Sequence, residues 1–397
     1  MSTPEETVVA ADSILDERRT TPVELLWDLV FVFAITQVTA LLAKDLSWAG
    51  FGRGMLVLAL VWWAWAAFVW AANAQDTASP TLRLALLLAM VLVFVAGLAL
   101  PHAFDDEAPV FAITYAAVRF LHLALYADAS RRGNASWAAI AGFSVTVAIG
   151  MALLVVGAFL GGTAQIVLWV AAAAIDYAGP AWLTRERLRG LQHVAVAHFA
   201  ERYSLFVLIC LGESIVAIGL GASTETFDAE LVAAVGLGLL ITVALWWTYF
   251  DRFATLAEER LREHDDPVLA AADAYSYLHL VLVAGIIIFA VGVKLAVHDV
   301  REPLPDATRL ALCGGVALYL GGHVAVRLRI LGTIGWEKLA TAVALLVLYA
   351  VGADMPAWTV AGVITVLLGA MCAFETVSAR RTGARRVSAP PEWGHQA

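Results

Sequence analysis

The sequence predicts an all-α fold, a polytopic transmembrane helical bundle of about 12 spans with both termini cytoplasmic, and three observations carry that expectation. Of the 397 residues, 61% are hydrophobic and only 15% are charged, an apolar share well above that of soluble domains. The apolar residues are gathered into runs of about 20, the length that crosses ~30 Å of hydrocarbon at ~1.5 Å per residue. Basic residues then collect at alternate ends of these runs. Arg18, Arg19, Arg83, Arg131, Arg132, Arg185, Arg187, Arg189, Arg252, Arg260, Arg262, Arg327, Arg329, Lys338, Arg380, Arg381, Arg385 and Arg386 fall on one side, which the positive-inside rule makes cytoplasmic.

Taken in order, residues 1–22 lack a continuous apolar core and read as a cytoplasmic tail, so that the first span acts as the insertion signal. Spans follow at 23–42, 51–72, 82–101, 109–127, 136–160 and 164–183, a first half covering 23–183. A linker at 184–198 leads to a second half at 199–377, with spans at 199–220, 230–250, 272–297, 308–328, 337–353 and 356–377, and residues 378–397 form a C-terminal cytoplasmic tail. Gly161 and Gly162 separate spans five and six, and a short turn around Asp354 and Pro356 separates the last two, so both pairs are tight helical hairpins. The expected location is the bacterial plasma membrane.

The first and seventh spans both open on a glutamate and run into an interrupted apolar stretch, Glu24 to Gln37 and Glu201 to Ser214, offset by 177 residues. The next spans echo each other through WWAWAAF at Trp62 and WWTYFDR at Trp246. A six-plus-six duplication with both halves in the same orientation follows, and the shared interface of the first and seventh spans is then the natural place for a site.

Carboxylates are costly in hydrocarbon and mark functional positions by default. Glu24 and Asp28 are four apart and share a helix face, as do Arg119 and His122, three apart. Paired carboxylates suit a shared proton or a cation, or else an ion pair with a basic neighbour. Glu213 lies midway along its span beside Gly212 and Ser214, where a carboxylate must be protonated, paired or hydrated. A guanidinium as deep as Arg119 requires a carboxylate partner, for which Asp28, Glu213 and Asp176 are the candidates. Glu201 and Arg202 read as an anchor pair at a span end, Gln37 as a polar contact between helices, and His279, like His323, as a hydrogen-bonding residue able to relay protons.

Other chemistry is not indicated. Cys210, Cys313 and Cys372 lie in apolar runs without ligand spacing and read as packing residues; no cofactor, metal site or catalytic motif is expected, and the chain reads as a non-enzyme. The net charge of −9 argues against a nucleic-acid partner. The acidic outer loops around Asp105, Glu225 and Asp299 read as solvated charge.

The segments TPVELLWDLVFVFAITQVTALL, YAAVRFLHLALY, HFAERYSLFVLICLGESIVAIG, YSYLHLVLVAGI and ALYLGGHVAVRLR, in this order, resemble the bacterial low temperature requirement protein A family. The resemblance runs from about Arg19 to Arg329 and implies a multi-pass membrane protein, with Glu24, Asp28, Gln37, Arg119, His122, Glu201, Arg202, Glu213 and His279 at motif positions. Trp27 stands where that family commonly has phenylalanine. WDLVFVFAIT is also similar, over a shorter stretch, to the first-helix signature of the endolysosomal-type potassium channel family, which has serine at the position of Trp27.

The expected function is a transporter or channel for a proton, small cation or small solute along a polar pathway near spans one and seven. The alternative is a membrane sensor or scaffold whose buried charges are structural ion pairs. Membrane lipids are expected partners in either case, and the chain is compatible with a homo-oligomer.

Overall fold

A computed structural model describes residues 20–73, 79–132, 137–179, 194–298 and 300–387. Secondary structure there is helical. The first half consists of α1 (Pro22–Lys44), α2 (Trp48–Asn73), α3 (Pro80–Ala99, ending in a 3₁₀ turn over Leu100–His102), α4 (Ala108–Arg131), α5 (Trp137–Leu160) and α6 (Gly162–Ala178). The second half consists of α7 (Val196–Ala222), α8 (Ala229–Phe250), α9 (Phe253–Arg262), α10 (Pro267–Ala296), α11 (Asp306–Leu331), α12 (Trp336–Val351) and α13 (Ala357–Val387).

Among the described residues ten helices are long and apolar enough to cross a membrane. The other two expected spans are present as shorter helices, α6 with 17 residues and α12 with 16. Three local features depart from the sequence expectation. The eighth span is followed by α9, an amphipathic helix that buries Phe253, Ala257 and Leu261 and leaves Arg260 and Arg262 outside. The ninth span starts earlier, at Pro267, and contains a π-helical segment over Ala272–Leu278. The expected C-terminal tail begins as helix, since α13 continues to Val387. Residues 1–19, with Arg18 and Arg19, and 180–193, with most of the expected linker and its arginines, lie outside the described residues.

Local sequence explains the main boundaries. Pro22 occupies the first turn of α1, where its missing N–H costs nothing, and the Thr21 N–H and hydroxyl both donate to Glu24 Oε2, at 2.8 and 2.7 Å. Gly161 and Gly162 both adopt positive φ, 67° and 53°, which allows the α5–α6 hairpin expected there. Leu29, Leu84, Phe94, Val216 and Phe374 are exposed on the outer surface, as lipid-facing residues are. Trp48, Trp137, Trp336 and Trp358 are exposed near helix starts, as an interfacial aromatic belt requires.

The two halves have parallel patterns of neighbours. α1 packs on α2 and α3, α3 on α4, α4 on α5, α5 on α6, and α2 on α6; α7 packs on α8 and α10, α10 on α11, α11 on α12, α12 on α13, and α8 on α13. One tertiary hydrogen bond recurs: Tyr115 on α4 donates to Leu60 O on α2 at 2.9 Å, and Tyr319 on α11 donates to Leu245 O on α8 at 2.8 Å. The echoed tryptophans differ in setting, because Trp62, Trp63 and Trp65 are buried whereas Trp246 and Trp247 are 39% and 40% exposed.

Candidate functional site

α1 and α7 run parallel and meet along a polar seam. At its start the Thr20 N–H and hydroxyl donate to Glu201 Oε2, at 3.1 and 2.9 Å. One turn inward Glu24 Oε1 lies 3.1 Å from His198 Nε2. Next, Asp28 Oδ1 accepts from Arg202 Nη2 at 2.7 Å and from Trp65 Nε1 of α2 at 2.8 Å. Farther along, Glu213 Oε2 lies 2.6 Å from the Thr36 hydroxyl.

The register follows from helix periodicity. Glu24 and Asp28 are one turn apart on α1, and His198 and Arg202 are one turn apart on α7, so an acidic ladder faces a basic one. All four side chains are buried, with exposures of 0 to 2%. Arg202 is therefore no surface anchor beside Glu201: consecutive residues on a helix point about 100° apart, and Glu201 is exposed while Arg202 turns inward to Asp28.

Several atoms of this seam have no hydrogen-bond partner among the described residues, namely Asp28 Oδ2, Arg202 Nε and Arg202 Nη1. The buried Arg119–Asp176 pair has the same pattern, with Arg119 Nε, Arg119 Nη1 and Asp176 Oδ2 also lacking a hydrogen-bond partner among the described residues. Glu213 is 3% exposed. It has no ion-pair partner within 4 Å among the described residues; its contacts are the hydroxyls of Thr36 and Thr39 and, electrostatically, Lys294 of α10.

The remaining candidates form separate clusters. Arg119 Nη2 of α4 bonds Asp176 Oδ1 of α6 at 2.7 Å, both side chains buried, so of the three carboxylates that could have served Arg119 it is Asp176 that does. His122, on the same face of α4, sits among the rings of Phe68, Tyr126 and Phe143. His279 approaches the Ala274 carbonyl oxygen through Nδ1 at 2.8 Å and the Tyr249 hydroxyl through Nε2 at 3.0 Å. Because a carbonyl only accepts, Nδ1 carries a hydrogen, and in the neutral ring Nε2 then accepts from Tyr249. His323 lies against Tyr249, Phe253 and Tyr319. Gln37 is half-buried and joins no hydrogen bond among the described residues, contrary to its expected role between helices; the adjacent Thr36 makes the polar contact instead.

His198, Trp65, Thr36 and Lys294 complete the seam although none of them was an expected site residue. His198 had a usable signal, its spacing of four from Arg202 matching that of Glu24 and Asp28. Thr and Trp are common in membrane helices, so only their partners give Thr36 and Trp65 meaning, whereas Lys294, a charge inside an apolar run, carried a signal of its own. No group of three or more metal-ligating side chains occurs among the described residues.

A family model for the bacterial low temperature requirement A protein matches residues 19–373. The chain belongs to this family. The low temperature requirement A match takes in both ladders, the Thr36–Glu213 contact and the Arg119–Asp176 pair. A protein of Rhizobium meliloti (strain 1021), "Uncharacterized protein RA0937", is 30% identical over 313 residues, covering 77% of this chain and 76% of the relative. No solved structure matches the chain significantly.

Proposed function

We propose that this low temperature requirement A protein is a transporter or channel that moves a proton, small cation or small solute along the α1–α7 seam. One observation carries the reading: buried ionisable groups follow one another along a single interface of two parallel helices, ending at Glu213, which lacks a counter-ion within 4 Å. Structural ion pairs neutralise themselves, whereas a carboxylate in the bilayer without a counter-ion must be protonated, hold a cation or contact water, and a group that can take each of these states suits a polar path.

The recurring neighbour pattern and the Tyr115–Leu60 and Tyr319–Leu245 bonds support a six-plus-six duplication, with α1 and α7 as equivalent helices at the axis. The distribution of Lys and Arg supports cytoplasmic termini and insertion in the bacterial plasma membrane. In this reading the chain is not an enzyme.

Purified protein in liposomes is expected to pass protons or alkali cations, measured with an entrapped pH dye and with ion-selective electrodes, and Glu213→Gln is expected to lower the flux at least tenfold while leaving folding intact. Equal flux in wild type and Glu213→Gln removes Glu213 from the path. Absence of flux for every solute tested, with Glu213→Gln lowering only thermal stability, favours a sensor or scaffold, for which the fully buried Arg119–Asp176 pair is the supporting observation.

A further inference from the structure

A polar cavity lined by none of the seam residues opens between α8, α9, α11, α12 and α13 with a volume of about 450 Å³. Its chemistry is divided. Trp247, Leu256 and Phe374 line it and are 40%, 44% and 61% exposed, an apolar wall on the outer surface of the bundle. Four basic side chains, Arg252, Arg260, Arg327 and Lys338, line the same space with three acidic ones, Asp251, Glu337 and Glu375.

These charges fall into two layers. Lys338 bonds Glu375, and Arg327 Nη1 bonds Glu337 Oε1 at 3.1 Å, with both pairs mostly withdrawn from the surface. They form a self-neutralised floor. Arg252 and Arg260 are at the rim, 45% and 58% exposed, and their partners are local: Asp251, the preceding residue, at 3.4 Å, and Glu263, three residues on, at 3.2 Å. Such exposed pairs are weak and exchange readily with another anion. Arg is well suited to bind phosphate through two parallel N–H donors.

We propose that this cavity binds an anionic phospholipid, its phosphate held by Arg252 and Arg260 and its acyl chains lying on Trp247, Leu256 and Phe374. The apolar wall is what selects a lipid over a soluble anion, since free phosphate has nothing to gain from it. The location agrees, because the cavity lies at the basic end of the bundle, where α8 gives way to the amphipathic helix α9, and basic pockets between helices at that level hold lipid headgroups. The site does not depend on whether the seam conducts.

The test uses the full chain in detergent, with thermal unfolding followed as phosphatidylglycerol or phosphatidylcholine is added. Phosphatidylglycerol is expected to raise Tm more than phosphatidylcholine does. The double variant Arg252→Gln/Arg260→Gln is expected to lose that difference, with apparent phosphatidylglycerol affinity falling about 25-fold, roughly fivefold per arginine. Arg301→Gln, which removes an exposed arginine distant in sequence from the rim, is the control and is expected to keep the preference. Equal response of wild type to both lipids overturns the proposal, as does a preference that survives in the double variant. An equal loss in Arg301→Gln reduces the effect to general charge attraction. A matching Tm rise with inorganic phosphate makes the site one for soluble anions and overturns the lipid assignment.

Discussion

Thr36 holds one hydroxyl hydrogen between two acceptors. Its Oγ1 lies 3.1 Å from Val32 O, one turn back on its own helix, and 2.6 Å from Glu213 Oε2. When Glu213 is ionised the hydrogen points to the carboxylate; when Glu213 carries a proton it donates to Thr36, and the Thr36 hydrogen returns to Val32 O. Either state is satisfied, so the hydroxyl can follow the protonation of Glu213 without moving a helix. Thr36→Val keeps the side-chain volume and removes this follower, and is expected to lower flux and to cost about 1 kcal/mol by taking from a buried carboxylate its 2.6 Å donor while Thr39 remains beside it. Thr36→Ser is expected to restore both. Flux and unfolding in a graded denaturant measure the two effects separately, and a Thr36→Val protein equal to wild type in each would deny Thr36 this part.

The buried pairs make a second prediction at the same scale. Arg119 and Asp176 are each sequestered, so Asp176→Leu alone leaves a guanidinium uncompensated and is expected to cost about 3–5 kcal/mol. Arg119→Met with Asp176→Leu removes both charges and is expected to be less damaging than either single change. A double-mutant cycle of unfolding free energies checks this. Additive losses would mean that the pair is not coupled.

At the scale of elements, α10 and α11 approach most closely where glycines meet. A Cβ at Gly285 would lie 2.4 Å from the Tyr319 backbone nitrogen, and one at Gly315 would lie 2.5 Å from that of Phe289. The contact is reciprocal, each glycine receiving the backbone of the other helix, and small residues are what allow such approach in membranes. Gly285→Ala must push the helices apart and is expected to destabilise by about 1–3 kcal/mol. Gly321→Ala on the same helix as Gly315 meets nothing within 4 Å and is expected to be neutral or to stabilise by up to about 1 kcal/mol through helix propensity. Tm values of the two variants check the contrast. The same pair of helices shows what the sequence made legible. Hydropathy placed both, because apolar length is a property of each helix alone, but the π segment at Ala272–Leu278 could not be read. It depends on partners elsewhere in the chain: Trp62 Nε1 of α2 donates to Ser276 O at 2.7 Å, and Trp70 Nε1 donates to the Ser276 hydroxyl at 2.7 Å. Likewise Arg119 announced its need of an acid, yet Asp176 was one of three acids that could have answered, and only the folded neighbours of α4 decide among them.

For the whole molecule, the parallel seam fixes a relation that orientation in the membrane must respect. Since α1 and α7 point the same way, the α1–α2 turn and the α7–α8 turn lie on one side, and the positive-inside rule assigns that side to the exterior. The native cysteines leave room for a labelling test, because Cys210 and Cys313 are buried and Cys372 is half-buried. Ala49 and Thr226 are exposed at the two turns, and Thr81 and Glu259 are exposed at the other end of the bundle. A membrane-impermeant maleimide added to intact cells is expected to label Ala49→Cys and Thr226→Cys and to spare Thr81→Cys and Glu259→Cys, with the reverse in inside-out vesicles. Labelling of the second pair from outside would invert the proposed orientation, placing the acidic mouth of the α1–α7 seam at Glu24 and Glu201 outside the cell and the Arg252–Arg260 cavity in the outer leaflet. The direction in which Glu213 would meet a solute on the proposed path therefore turns on the same measurement: in the expected orientation, a solute from the cytoplasm would pass the Glu24–His198 and Asp28–Arg202 pairs before reaching Glu213.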